Sequence, residues 1–329
     1  MKIAITITIY RERTMDHKKV LLWAVNFGLV LLLVSACGAP QPAAPPQPTA
    51  MPELPTMTPE PSPVYIPTGS VALKSLVSGG ADRKYSLYVP STYDPTQSYP
   101  MVFLLHPYKS SGAVLDAGIG ASKLAEEVGF ILALPQGVDA WWKDGDPNWP
   151  ADEITLADEV TFFSDLIDEV SAQYNVDPLR IYVTGASNGG CMTYSLACRL
   201  GNRIAAIGPV VGDLMLNDCE PGRPLPVIHI HGILDPMFKG TRPTTGSPTD
   251  VRATMVEWAA RNGCSDETEV VYQQGKVTCT AYKNCDKNAS VELCIVQGIG
   301  HDWPGPLLTG FDATRALWEF FAAHPMPEQ

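Results

Sequence analysis

The segment Arg180-Ile181-Tyr182-Val183-Thr184-Gly185-Ala186-Ser187-Asn188-Gly189-Gly190 holds a Gly-x-Ser-x-Gly pattern between an apolar run and a helical pattern. A serine in a sharp strand-to-helix turn has its hydroxyl lifted clear of the backbone, and the flanking glycines let neighbouring chains pass without a Cβ clash. The first amides of the following helix, Asn188 N–H among them, then point to where an oxyanion would develop. The chemistry expected is nucleophilic attack on an acyl carbon. The bland alternative is a glycine-rich turn without chemistry. The strand before and the helix after raise the motif above it.

A hydroxyl needs a base to become a nucleophile. After such a turn the acid and then the histidine follow along the chain. Beyond Ser187 the histidines are His229, His231, His301 and His324. His229 and His231 lie within one apolar strand and read as packing. His324 follows the final helix. His301 sits in Gly298-Ile299-Gly300-His301-Asp302-Trp303-Pro304-Gly305, a loop that can carry an imidazole over the serine, and is the expected base. The acid should lie between Ser187 and His301. Asp235 follows directly on the strand Val227-Ile228-His229-Ile230-His231-Gly232 and is the expected acid, with Asp213 as its rival. Asp218, Asp250, Asp266 and Asp286 fall in loops or at helix starts. The acid's task is to hold the imidazole tautomer and stabilise the imidazolium.

A second oxyanion donor is expected from the loop Leu105-His106-Pro107-Tyr108-Lys109. Proline has no N–H, so the next amide, Tyr108 N–H, is the candidate. Trp141, Trp142 and Trp149 crowd a polar loop, and Trp303 adjoins the candidate base. Such aromatic faces could stack on a ring or cover an aliphatic chain, so these four are the expected substrate contacts. The competing reading is that one or two simply cover the core.

The elements that must position these groups alternate. Ser70 to Val77 and Arg83 to Val89 read as a hairpin around Gly79-Gly80. Met101 to Leu105, Phe130 to Leu134, Ile181 to Thr184, Ile204 to Val211 and Val227 to Ile230 are continuous apolar runs, as buried parallel strands are. Val160, Phe163, Leu166, Ile167 and Val170 recur at helical steps on a helix from about Thr155 to Tyr174. Asn188–Leu200, Thr249–Asn262 and Asp312–Ala323 also read as helices. Alternation of this kind implies a mostly parallel sheet with helices on both faces. Ligands on such sheets sit at the carboxyl ends of the strands.

Before this domain the chain changes character. Residues 1–36 read as a lipoprotein signal peptide. Asp16, His17, Lys18 and Lys19 precede an apolar run from Val20 to Ala36, which ends in Val34-Ser35-Ala36-Cys37. Met15 is an alternative start. That ending resembles the lipobox of bacterial lipoproteins, so lipidation of Cys37 is expected, giving an extracytoplasmic protein anchored to a membrane or secreted. Residues 37–67 read as a spacer, with ten prolines in the 24 residues from Pro40 to Pro63, which favours extended polyproline II. Residues 68–329 read as the catalytic domain. The 329 residues carry 23 Lys+Arg against 35 Asp+Glu, a net charge of −12. Such an acidic chain argues against a nucleic-acid partner.

Eight cysteines suggest an oxidising compartment. With Cys37 lipidated an odd number remains, and Cys191, on the helix behind the nucleophile, is the expected free thiol. Cys198 and Cys219 flank one helix–strand unit. Four cysteines allow three pairings, and Cys264–Cys285 with Cys279–Cys294 are expected, the last two lying in runs that look like neighbouring strands. Cys-x2-Cys pairs are absent, and no metal or cofactor is expected.

Taken together, Leu104-Leu105-His106, Val176 through Gly190, His229-Ile230-His231-Gly232 through Asp235-Pro236, and Gly300 through Gly305 resemble the secreted polyhydroxybutyrate depolymerase-like and feruloyl esterase group of α/β-hydrolases. The likeness runs from about Arg83 to Glu319. It implies an α/β-hydrolase fold with Ser187, Asp235 and His301 as the triad. One departure is visible: the group usually has His-Gly where this chain has His106-Pro107. The activities implied are cleavage of feruloyl or acetyl esters on plant polysaccharide, or of hydroxyalkanoate polyesters. A non-catalytic surface lipoprotein that kept the fold is the rival from another class.

Overall fold

The computed structural model describes residues 68–147, 154–239 and 250–328. The signal peptide, Cys37, the proline-rich spacer and Trp149 lie outside these residues. Among the described residues ten strands form one sheet in the order β1-β2-β4-β3-β5-β6-β7-β10-β9-β8. The strands are β1 (Val71–Ser78), β2 (Ala81–Tyr88), β3 (Tyr99–Leu105), β4 (Ile131–Pro135), β5 (Val176–Ala186), β6 (Ala206–Val210), β7 (Val227–Gly232), β8 (Thr268–Gln274), β9 (Val277–Tyr282) and β10 (Val291–Val296). From β4 to β10 every neighbouring pair in this order is parallel. Antiparallel strands flank that centre on both sides. The helices are α1 (Gly112–Ile119), α2 (Ala121–Val128), α3 (Leu156–Gln173), α4 (Asn188–Leu200), α5 (Val251–Arg261), the short α6 (Pro306–Thr309) and α7 (Ala313–Ala323). This is an α/β-hydrolase fold.

The apolar runs explain the layering. Side chains alternate across a strand. In β3, Met101, Phe103 and Leu105 enter one core, while Val102 and Leu104 enter the other. The first core packs beneath α3, α4 and α5 and includes Phe163, Tyr194 and Trp258. The second packs beneath α2 and α7 and includes Leu124, Tyr182 and Phe321. Both faces are dry, so these strands have no polar alternation to show. At the outer edge β8 has almost every residue exposed.

Three disulfides are present: Cys198–Cys219, Cys264–Cys285 and Cys279–Cys294. Cys279 and Cys294 face each other across the β9–β10 ladder. Cys191 is buried in α4 and belongs to no bridge.

Candidate active site

Strands β5, β7 and β10 all end at the same edge of the sheet, and each hands the chain to one residue of a cluster. After β5 comes Ser187, with φ 55° and ψ −119°, directly before α4. That left-handed backbone is strained for a residue with a side chain, and such strain costs about 1–3 kcal/mol. The surroundings hold it: Ser187 N–H donates to Val210 O at 2.9 Å, and Ser187 O accepts from Cys191 N–H at 2.8 Å. Gly189 is needed for a close approach, since a Cβ there would collide with the carbonyls of Leu105 and His106. The loop after β3 therefore runs against the first turn of α4.

After β7 comes Asp235, buried at 2% exposure. After β10 comes His301, whose side chain is 39% exposed. Their loops are laced together, because Ile233 N–H donates to Val296 O and Leu234 N–H to Ile299 O, each at 3.0 Å. Gly232 is the point of closest approach. A Cβ at that position would strike the carbonyls of Ile299 and Gly300.

These backbones bring three side chains into line. Ser187 Oγ lies 2.7 Å from His301 Nε2, and His301 Nδ1 lies 2.6 Å from Asp235 Oδ2. Asp235 accepts only, so Nδ1 carries the proton and Nε2 faces the hydroxyl as an acceptor. Asp235 also accepts from His231 Nε2 at 2.8 Å on Oδ2 and from Met237 N–H at 2.9 Å on Oδ1. Burial pushes its carboxyl up, but the hydrogen bonds from His231, His301 and Met237 outweigh burial and hold it well below the usual carboxylate range. The rival Asp213 is held elsewhere: its Oδ1 accepts from Leu214 N–H at 2.8 Å and from the Thr254 hydroxyl at 2.7 Å.

Behind Asp235 stand the two strand histidines expected to be packing, His231 and His229, and beyond them Tyr194. His231 Nδ1 meets His229 Nε2 at 2.8 Å, and His229 Nδ1 meets the Tyr194 hydroxyl at 2.7 Å. His229, His231 and Tyr194 are fully buried. Burial and the neighbouring His231 push the His229 imidazole far down, against the opposing pull of Asp235. Burial pushes the Tyr194 phenol well up. The signal in the sequence was the spacing of two, which puts His229 and His231 on one face of β7.

The loop carrying Tyr108 is fixed by another buried histidine. His106 Nε2 accepts from Gly137 N–H and faces Gln136 Nε2, both at 3.0 Å, so its Nδ1 carries the proton and donates to Pro107 O at 2.9 Å. Burial lowers the His106 pKa, partly opposed by that bond to Pro107. Tyr108 is 45% exposed. Asn188 turns its side chain inward, where Oδ1 accepts from Trp142 N–H at 2.8 Å and Nδ2 donates to Trp142 O at 3.0 Å and to Asp144 Oδ2 at 2.9 Å. Its backbone amide follows Ser187 directly, at the first residue of α4.

The tryptophans divide. Trp142 is fully buried and its indole N–H donates to His106 O at 2.9 Å. Its expected substrate contact is therefore corrected: it is a core residue that braces the loop after β3. Trp141 is partly exposed, edge-on to Tyr108 and capped by Lys143 Nζ at 3.3 Å from its ring centroid. Trp303 is partly buried, and its indole N–H donates to the Thr314 hydroxyl at 3.2 Å. It lines a groove of about 790 Å³ together with Pro107, Ser110, Val114, Pro304 and Leu307. Among the described residues no cluster of His, Cys, Asp or Glu could hold a metal ion.

Comparison with known proteins places this geometry in context. The family model described as esterase PHB depolymerase matches residues 83–220. Feruloyl esterase B of Piromyces equi is 30% identical over 231 residues, covering 67% of this chain and 42% of that protein. The bifunctional acetylxylan esterase/xylanase XynS20E of Neocallimastix patriciarum is 26% identical over 227 residues, and the chain covers 31% of it. The chain thus spans less than half the length of these two relatives. The putative esterase NocK of Nocardia uniformis subsp. tsuyamanensis is 30% identical over 306 residues, covering 84% of this chain and 88% of that one. Among solved structures, an acetyl xylan esterase from Aspergillus awamori superposes with a TM-score of 0.58 at 17% identity, over 77% of this chain and 99% of that one. At that identity the likeness speaks for the fold alone.

Proposed function

The chain belongs to the esterase PHB depolymerase family, within the feruloyl esterase-like α/β-hydrolases, and from that premise we propose that it is an extracytoplasmic serine carboxylesterase acting through Ser187, His301 and Asp235. The observation that carries the reading is the hydrogen-bonded line from Ser187 Oγ through His301 to Asp235.

In the proposed mechanism His301 Nε2 takes the Ser187 proton as Oγ bonds to the ester carbonyl carbon. The oxygen that gains charge is met by the Asn188 and Tyr108 amides. Each such donor is worth roughly 2.7–4 kcal/mol of barrier in known cases. The tetrahedral species collapses, the bond to the alcohol breaks, and His301 returns the proton to the leaving oxygen. Water then attacks the acyl-enzyme, His301 takes its proton, and collapse releases the acid and restores Ser187. Every proton passes through one nitrogen, so no cofactor is required.

The proposed substrates are feruloyl or acetyl esters of plant polysaccharide, in keeping with the names of the relatives. The family model's description supports a second reading, hydrolysis of hydroxyalkanoate oligomers. Lipidation of Cys37 and membrane attachment are part of the proposal and rest on the lipobox-like residues alone; no described helix is long and apolar enough to cross a membrane. The test compares wild type with Ser187→Ala on methyl ferulate, acetylated xylan and soluble hydroxybutyrate oligomers. Ferulate or acetate release that vanishes in the variant supports the first reading. Hydroxybutyrate release supports the second. No turnover by folded wild type sinks both and leaves a binding protein.

A further inference from the structure

Asp235 Oδ2 receives two ring N–H groups, one from His301 on the open side and one from His231 on the buried side. With Met237 N–H on Oδ1, three donors fix the carboxylate's rotation. The buried donor is itself held. His231 and His229 lie with their rings parallel, 4° between planes, and joined nitrogen to nitrogen. His229 is joined in turn to Tyr194. Tyr194 stands on α4, the helix that begins directly after Ser187. The hydrogen bonds therefore form a circuit: it leaves α4 at Tyr194, passes through His229, His231, Asp235 and His301, and returns at Ser187.

We propose that His231 and His229 are positioning residues for the reaction, fixing Asp235 so that His301 keeps its proton on Nδ1 and turns a bare Nε2 to Ser187. This rests on the triad reading above. The reason is the polarity of the chain. A carboxylate only accepts, so His231 must present Nε2–H to it. A neutral His231 then offers Nδ1 as an acceptor, which obliges His229 to present Nε2–H. His229 Nδ1 is left as an acceptor, and only Tyr194 O–H can fill it. With both imidazoles neutral, one orientation satisfies the row, the Tyr194 hydroxyl turning to His229 Nδ1 at 2.7 Å rather than to the weaker acceptor Met255 Sδ at 3.6 Å, and reversing any link leaves two donors or two acceptors facing each other away from water. Aliphatic residues would fill this part of the core as well by volume, but they could not transmit that constraint. Because the circuit closes on α4, the spacing of nucleophile and acid is set twice, once through the backbone and once through the imidazoles.

The full chain tests this in two ways. In wild type, histidine nitrogen shifts measured by NMR should place the proton on Nε2 in His229 and His231 and on Nδ1 in His301. A proton on Nδ1 of His231 overturns the proposal without any substitution. In kinetics on a chromogenic acetate ester, His231→Leu should lower kcat by about 10- to 100-fold with KM within about twofold. His231→Gln keeps an N–H for Asp235 and an acceptor for His229, and should recover most of that loss. Equal loss in both variants, or no loss in folded His231→Leu, overturns the positioning role. Should His231→Leu fail to fold, Tyr194→Phe decides. It keeps the ring and removes the hydroxyl, so a lowered kcat with unchanged KM supports the proposal and an unchanged kcat overturns it. Turnover surviving in Ser187→Ala would instead remove the triad reading, whatever the tautomers.

Discussion

The two sides of Asp235 are built on different terms. On the open side His301 is 39% exposed and Ser187 sits on strained backbone. On the closed side His231, His229 and Tyr194 have no exposure at all. The open side meets solvent. The closed side does not, and each of its polar atoms must find its partner within the protein. Both sides use imidazole, yet in the proposed reaction the open ring carries the proton while the closed rings only hold the carboxylate. What separates the roles is access to water, not residue type.

The sharpest test of this contrast is Ser187→Ala. On the open side the loss should be almost purely catalytic: activity down by at least about 10⁴-fold, with the urea midpoint unchanged or raised as strain is relieved. A large loss of stability would erase the distinction. Asp235→Asn sits at the junction and should show both signatures. We expect activity to fall about 10⁴-fold, because an amide holds the wrong tautomer, and stability to fall by about 1–3 kcal/mol as buried donors lose their acceptor. Unchanged stability would mean that the closed side does not depend on the acid.

Braced like the closed side, the loop after β3 offers a third comparison. His106→Leu leaves the Gly137 amide without its buried acceptor, so stability should fall by about 1–3 kcal/mol with activity following only through the Tyr108 loop. A catalytic loss as large as that of Ser187→Ala would overturn this division.

The pH dependence separates the sides again. His229 and His106 have pKa values lowered by burial. Their neutral forms are favoured in the folded state, while the unfolded chain protonates near pH 6.5. Stability is therefore fully present above that value and falls as the pH drops below it, by up to about 1.4 kcal/mol per pH unit for each histidine. Urea titrations between pH 7.5 and 5 should show the midpoint falling, and a flat profile would count against neutral buried imidazoles. Asp235 acts lower: its depressed pKa gives stability that is fully present above the ordinary carboxylate range and is lost progressively as the pH falls from that range to the folded value. The smallest effect is expected from Trp303→Ala, a groove residue, which should raise KM about threefold with kcat kept. A change in kcat alone would move Trp303 from binding to the positioning of His301.

Much of this was legible in the residues. Helix α4 runs over the Asn188–Leu200 span its pattern implies, because the elbow, the glycines and the apolar spacing agree. Strand β5 is longer than its apolar run, reaching from Val176 to Ala186, since β3 pairs again at Val176, across an irregular, half-exposed stretch from Asp177 to Arg180 that an apolar pattern does not mark as strand. Trp142 was misjudged for a simple reason: a tryptophan in a polar loop has the same spelling whether its ring faces water or folds back on His106. His229 and His231 were rightly taken as buried, but a strand pattern says which face a side chain takes and not what lies across from it.

The elbow at Ser187, the chain order of Ser187, Asp235 and His301, and the buried parallel strands could be read from the residues alone, because each follows from local spacing and chain direction. It took the packed chain to bring Asp235 against His301 across 66 positions, to turn Trp142 inward onto His106, and to join two strand histidines to Tyr194 on α4. Those outcomes depend on which buried donors meet which acceptors once water is excluded, and that meeting is a property of the packed chain.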